Sequence, residues 1–202
     1  MSATVAHLIY ALAWLSFGLG HSLLAREGAK AHLRSLLGAG YRLAYNLFAA
    51  LHIVPVYALG AWAFRGQGDF AFVEPWGWAL TTVHVVGWIG LLVALRGYDL
   101  GRLAGTRQIR NARLGITEPE DEPLRRDGLH RYVRHPLYAA AFLILWGAAD
   151  DPLHLATAVW GSVYLVVGSR FEERFLERLY GAAYADYRRR VPAFVPWKGR
   201  AL

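Results

Sequence analysis

The sequence predicts an all-α fold, an integral membrane bundle of five transmembrane helices. Five stretches contain no Asp, Glu, Lys or Arg: 1–25, 43–64, 75–95, 135–149 and 152–169. One such stretch suits a buried helix of a soluble domain; five in series do not. The basic residues are just as ordered. Lys and Arg number four in 26–42, one in 65–74, nine in 96–134, none in 150–151 and eight in 170–202. Five spans therefore put 21 of the 22 on one side, which predicts an N-terminus outside and a C-terminus in the cytoplasm. The hydrophobic share, 55% with eight Trp and eleven Tyr, agrees with a chain that faces lipid.

The elements follow in order, within a single domain over 1–202. The first span is expected at 4–24. It lacks the basic leader of a cleaved signal and reads as retained. Residues 26–40 predict a short amphipathic helix on the inner surface, with Arg26, Lys30 and Arg34 spaced four apart. Spans two and three, 43–64 and 76–95, are joined by the glycine-rich outer loop "RGQGDFAFVEP". The connection 96–134 is the longest, and its "TEPEDEPLRRDG" holds prolines and an acidic cluster. Asp150, Asp151 and Pro152 form a tight outer turn between spans four and five, 135–149 and 152–170.

This charge pattern also excludes function classes. A pI near 9.9 fits a nucleic-acid binder only if a basic stripe sits on a soluble module, and here the charge follows topology, so no nucleic-acid partner is expected. With no cysteine, disulfides, iron–sulfur clusters, thiolate zinc sites and a cysteine nucleophile are absent. No His pair shows the spacing of a metal site with a nearby carboxylate, and no metal is expected. "GLG" at 18–20 and "GAG" at 38–40 lie in helical contexts, which excludes a Rossmann-type cofactor loop.

Helical phase then orients the polar residues. In span one, His7, Tyr10, Trp14, Phe17, Gly18 and His21 share a face, and Leu8, Leu12, Leu15, Leu19 and Leu23 share the opposite one. The leucine face suits lipid. Span five continues into "SRFEERFLERLY", where Gly168, Phe171, Glu172, Phe175, Leu176 and Leu179 form one apolar arc. Phase thus predicts Glu172 inward and paired or ligand-bound, and Glu173 among solvated charges.

The stretch "RYVRHPLYAAAFLILWG" carries the densest chemistry. Pro136 suits the first turn of span four, so Arg134 and His135 stand at its positive, anion-binding end. Tyr138 and Phe142 line up beneath His135.

The ordered set of Arg134-His135-Pro136 with Tyr138, Glu172-Glu173 with Leu176, Gly181 with Tyr184 and Tyr187, and Val191-Pro192 resembles the isoprenylcysteine carboxyl methyltransferase superfamily. "GLGHSLLAREGAK" and "YDLGRLAGTRQ" look like the matching parts of bacterial methanethiol S-methyltransferases and NnrU-like proteins. The resemblance covers nearly the whole chain. It implies methyl transfer from S-adenosyl-L-methionine at the cytoplasmic ends of spans four and five, in a bacterial inner membrane. On that basis His130, Arg134, His135, Tyr138, Glu172, Glu173, Tyr184 and Tyr187 are the candidate cofactor-binding residues. Arg134 and His21 are the candidate catalytic residues, for thiolate stabilisation and proton removal. The expected partners are membrane lipids and a small thiol or lipid substrate. Two alternatives stand beside small-thiol methylation. One is a prenyl-cysteine, phospholipid or other lipid acceptor. The other is non-enzymatic: an NnrU-like accessory membrane protein, or a haem-binding membrane protein using span histidines such as His52 and His84.

Overall fold

The computed structural model describes residues 1–117 and 123–198. The acidic cluster Glu118, Glu120, Asp121 and Glu122 lies outside the described residues. Among the described residues every regular element is a helix: α1 Ala3–Ala25, α2 Glu27–Leu37, α3 Tyr41–Phe64, α4 Trp76–Leu95, α5 Leu100–Ala104, α6 Thr106–Arg113, α7 Pro136–Gly147, α8 Pro152–Tyr180 and α9 Ala182–Arg190. Helices α1, α3, α4 and α8 are long and apolar enough to cross a membrane. The fourth expected span is a helix of only twelve residues. At ~1.5 Å per residue it covers about 18 Å, short of a hydrocarbon core of ~30 Å. The chain divides into two compact units, 1–67 with 98–120 and 68–97 with 121–202.

In the first unit α1 packs on α3. Tyr10 and Phe17 are buried there, while Leu8, Leu12, Leu15, Leu19 and Leu23 are all exposed, as the phase of span one predicts. Polar side chains tie the two helices. His21 Nδ1 lies 2.7 Å from the Tyr45 hydroxyl, His52 Nε2 lies 3.1 Å from Ser16 Oγ, and the Tyr41 hydroxyl donates to the Leu24 carbonyl at 2.8 Å. Helix α2 buries none of its residues. The α5–α6 pair docks on α3 through Asn46, whose amide donates to the carbonyls of Leu103 and Ala104 at 2.9 and 3.0 Å. Those carbonyls end α5 and have no partner within it. Gly105, at φ +97°, makes the turn into α6 (a Cβ there would sit 2.5 Å from the Leu43 amide nitrogen), so both its backbone conformation and its clearance require glycine.

The second unit is built on α4 against α7. Gly87 and Gly147 let the backbones touch: a Cβ on Gly87 would lie 2.6 Å from the Ile144 amide nitrogen, and one on Gly147 would collide with the His84 backbone. His84 completes the contact. Its Nδ1 lies 2.9 Å from the Ile144 carbonyl, and its Nε2 accepts from Trp88 Nε1 at 2.9 Å. Because a carbonyl can only accept, Nδ1 carries the proton and both ring nitrogens are used. His84 thus joins α4 to α7, with both ring nitrogens bonded. Asp151 caps α8 by accepting from the His154 amide at 2.7 Å. The helix then runs unbroken for 29 residues to Gly181.

Candidate functional site

The candidate site forms in the second unit, where the chain enters α7. Pro136 starts the helix and has no N–H to lose. The residues just before it are extended, with His135 at φ −124° and ψ 69°. Their amides turn to the segment after α9: Arg134 N–H donates to the Pro192 carbonyl at 2.9 Å, and His135 N–H to the Ala193 carbonyl at 3.0 Å. The end of the chain thus straps the start of α7.

One buried carboxylate organises the side chains. Glu173 Oε1 accepts from Arg134 Nε at 2.9 Å and Nη2 at 2.6 Å, and lies 3.0 Å from His135 Nε2. The same guanidinium donates through Nη1 to the carbonyls of Arg188 and Val191. Such a pair holds its place because every member also has hydrogen bonds. The His135 ring stacks on Tyr138, with centroids 5.3 Å apart and planes 9° from parallel. Phe194 packs on His135 at 5.6 Å and on Phe142 at 5.0 Å.

This overturns the expectation from helical phase about the two glutamates. Glu173 is 8% exposed and paired, whereas the Glu172 side chain is 45% exposed, with its carboxylate 3.6 Å from His135 Nδ1. The reason lies in the apolar arc. Phe171, Phe175 and Leu179 are all exposed, so the apolar arc is not the packed face of this stretch. The packed face is Ser169, Glu173, Leu176 and Tyr180, spaced at helical period and buried or half-buried.

The remaining candidates lie beside this cluster. Tyr184 and Tyr187 are buried and pack with Val191 against Leu124, Leu176 and Tyr180. Tyr187 donates its hydroxyl to the His130 carbonyl at 2.7 Å. His130 Nδ1 lies 3.1 Å from the Arg134 carbonyl, and burial pushes its pKa below the ordinary value, so it is neutral at pH 7. The Tyr184 hydroxyl is buried beside Arg134 and Glu173. Burial, then the Glu173 charge, pushes its pKa above the ordinary phenol range.

The structure therefore gathers His130, Arg134, His135, Tyr138, Glu172, Glu173, Tyr184 and Tyr187 in one unit. His21 belongs to the first unit, bonded to Tyr45. Sequence reasoning missed Phe194, although the Val191-Pro192 signature lies directly before it. Among the described residues, Asp150, Asp151 and His154 bring three potential metal ligands together. Capping of α8 and the 2.8 Å contact of His154 Nδ1 with Asp151 account for that cluster.

Comparisons with known proteins agree with this motif set. The family profile described as phospholipid methyltransferase matches residues 108–183. Methanethiol S-methyltransferase 2 of Bradyrhizobium diazoefficiens is 33% identical over 195 residues, covering 95% of this chain and 73% of its own. A methanethiol S-methyltransferase of Crocosphaera subtropica is 30% identical, covering 91% and 72%. Nurim of Xenopus laevis is 27% identical over 165 residues, covering 77% and 57%. No solved structure matches. On shared residues over nearly its full length, the chain belongs to the isoprenylcysteine carboxyl methyltransferase superfamily of integral membrane methyltransferases, alongside the methanethiol S-methyltransferases.

Proposed function

We propose that this protein is an S-adenosyl-L-methionine-dependent membrane methyltransferase whose acceptor is a small thiol such as methanethiol. One observation carries the cofactor reading. Glu173 is consumed in holding Arg134 and His135, while Glu172 stays exposed at the edge of the His135–Tyr138 stack. That leaves an available carboxylate beside flat rings. This donor set fits S-adenosyl-L-methionine. Glu172 would accept from ribose hydroxyls, and the rings of His135 and Tyr138 would pack against the adenosyl group. The bound cofactor supplies a methyl group on a sulfonium centre, open to in-line displacement by a nucleophile. Arg134 acts by holding Glu173 and the strap after α9 in place, and His130 and Tyr187 brace the loop before α7.

The thiol acceptor is supported by the names of the similar bacterial proteins. A thiol must lose its proton to become the nucleophile, and His21 stays the candidate base, tested by turnover in His21→Ala. We place the protein in a bacterial inner membrane as five spans, with α7 completing the count and the site facing the cytoplasm. A phospholipid acceptor is the second reading, favoured by the family profile over 108–183.

The test supplies methyl-labelled S-adenosyl-L-methionine to detergent-purified protein with methanethiol, a prenyl-cysteine or phosphatidylethanolamine as acceptor. Label in dimethyl sulfide supports thiol methylation. Label in a lipid product moves the assignment to the second reading, and label in none of them removes both.

A further inference from the structure

We propose that the outer face of α6 is a binding site for the phosphate of an anionic phospholipid. The feature is local to the first unit. Thr106, Ile109, Arg110, Arg113 and Leu114 recur at helical spacing and line an open groove of about 360 Å³. The face opposite is spent on the fold. Arg107 pairs with Asp99, the helix cap of α5, the Gln108 amide donates to the Arg102 carbonyl at 3.0 Å, and Asn111 is buried.

Arg110 and Arg113 take no part in this. Both are exposed, and among the described residues neither has an ion-pair or hydrogen-bonding side-chain partner. Between 96 and 116 the chain carries five arginines and one aspartate, a net charge of +4. A guanidinium forms paired hydrogen bonds with phosphate oxygens, so two of them three residues apart provide a built anion clamp.

The groove is not only cationic. Ile109 and Leu114 line it beside the arginines, and Leu114 is 64% exposed. A free phosphate has no use for apolar side chains. A phospholipid uses both, with its headgroup on the arginines and its acyl chains along Ile109 and Leu114, as interfacial amphipathic segments do. The charge bias of topology alone requires cations on this side of the membrane. It does not require two arginines that lack a side-chain partner among the described residues to share one groove with Ile109 and Leu114.

The test uses the full chain in a neutral detergent, with thermal unfolding followed during titration with phosphatidylglycerol, phosphatidylcholine or inorganic phosphate. Phosphatidylglycerol is expected to raise the midpoint by several degrees more than phosphatidylcholine, with phosphate giving no shift. The Arg110→Gln/Arg113→Gln variant should lose that difference. Arg110→Lys/Arg113→Lys should keep part of it, and Arg189→Gln, on α9, should keep it all. Equal shifts with the two lipids in the wild type overturn the proposal, whether or not the variants fold. So does full selectivity in the double Gln variant.

Discussion

Glu172 and Glu173 are neighbours in α8, yet one is exposed and the other lies between Arg134 and His135. Their substitutions should therefore separate. Glu173→Ala leaves a buried guanidinium without its carboxylate, a change that costs about 3–5 kcal/mol. A large fall in the thermal midpoint of the purified protein is expected. Glu172→Ala removes an exposed group and should change stability by no more than about 0.5 kcal/mol, while weakening cofactor binding. A second residue-scale expectation concerns His130, which faces Arg125, Asp127 and His135. Its folded pKa lies below the unfolded value of 6.5. Its contribution is full above pH 6.5 and is lost as pH falls through the folded pKa, because only the unfolded chain takes up the proton first. Comparing melting against pH in wild type and His130→Asn isolates that component, and the variant should show a flatter acid limb. The sequence made the cluster legible but not its wiring. Arg134-His135-Pro136 and the glutamate pair stood out as motifs. Which glutamate turned inward did not, because the apolar residues Phe171, Phe175 and Leu179 stay exposed and do not mark the packed face.

Among the elements, α1 was readable to the face, since its leucines and its aromatic and histidine residues segregate cleanly. The contact of α4 with α7 was not. Gly87 and Gly147 look like ordinary span glycines until two distant helices meet, and only then does each prove to fill a space where no side chain fits. Gly147→Ala should accordingly lower the thermal midpoint, by an amount corresponding to about 1–3 kcal/mol or more, since the atom it strikes is backbone of α4. Unchanged melting would mean that the two helices can separate freely. The charge-free stretch 135–149 also promised more helix than α7 delivers, because Ala148 and Ala149 lie beyond its last turn. Absence of charge marks what lipid tolerates, not where a helix ends.

At the scale of the whole molecule, five crossings would put 21 of the 22 Lys and Arg on one side, the distribution that membrane insertion favours. If α7 crosses, the two ends lie on opposite sides, and reporter fusions at residues 1 and 202 should report periplasm and cytoplasm respectively. The same compartment for both would mean that α7 does not cross. The deepest test concerns the site itself: calorimetric titration of S-adenosylhomocysteine into the detergent-purified protein, beside Glu172→Ala shown to be folded by its melting. Saturable binding in the wild type that is lost or strongly weakened in Glu172→Ala is the expected result. No binding by folded wild type, or equal binding by the variant, would contradict a cofactor site at the start of α7.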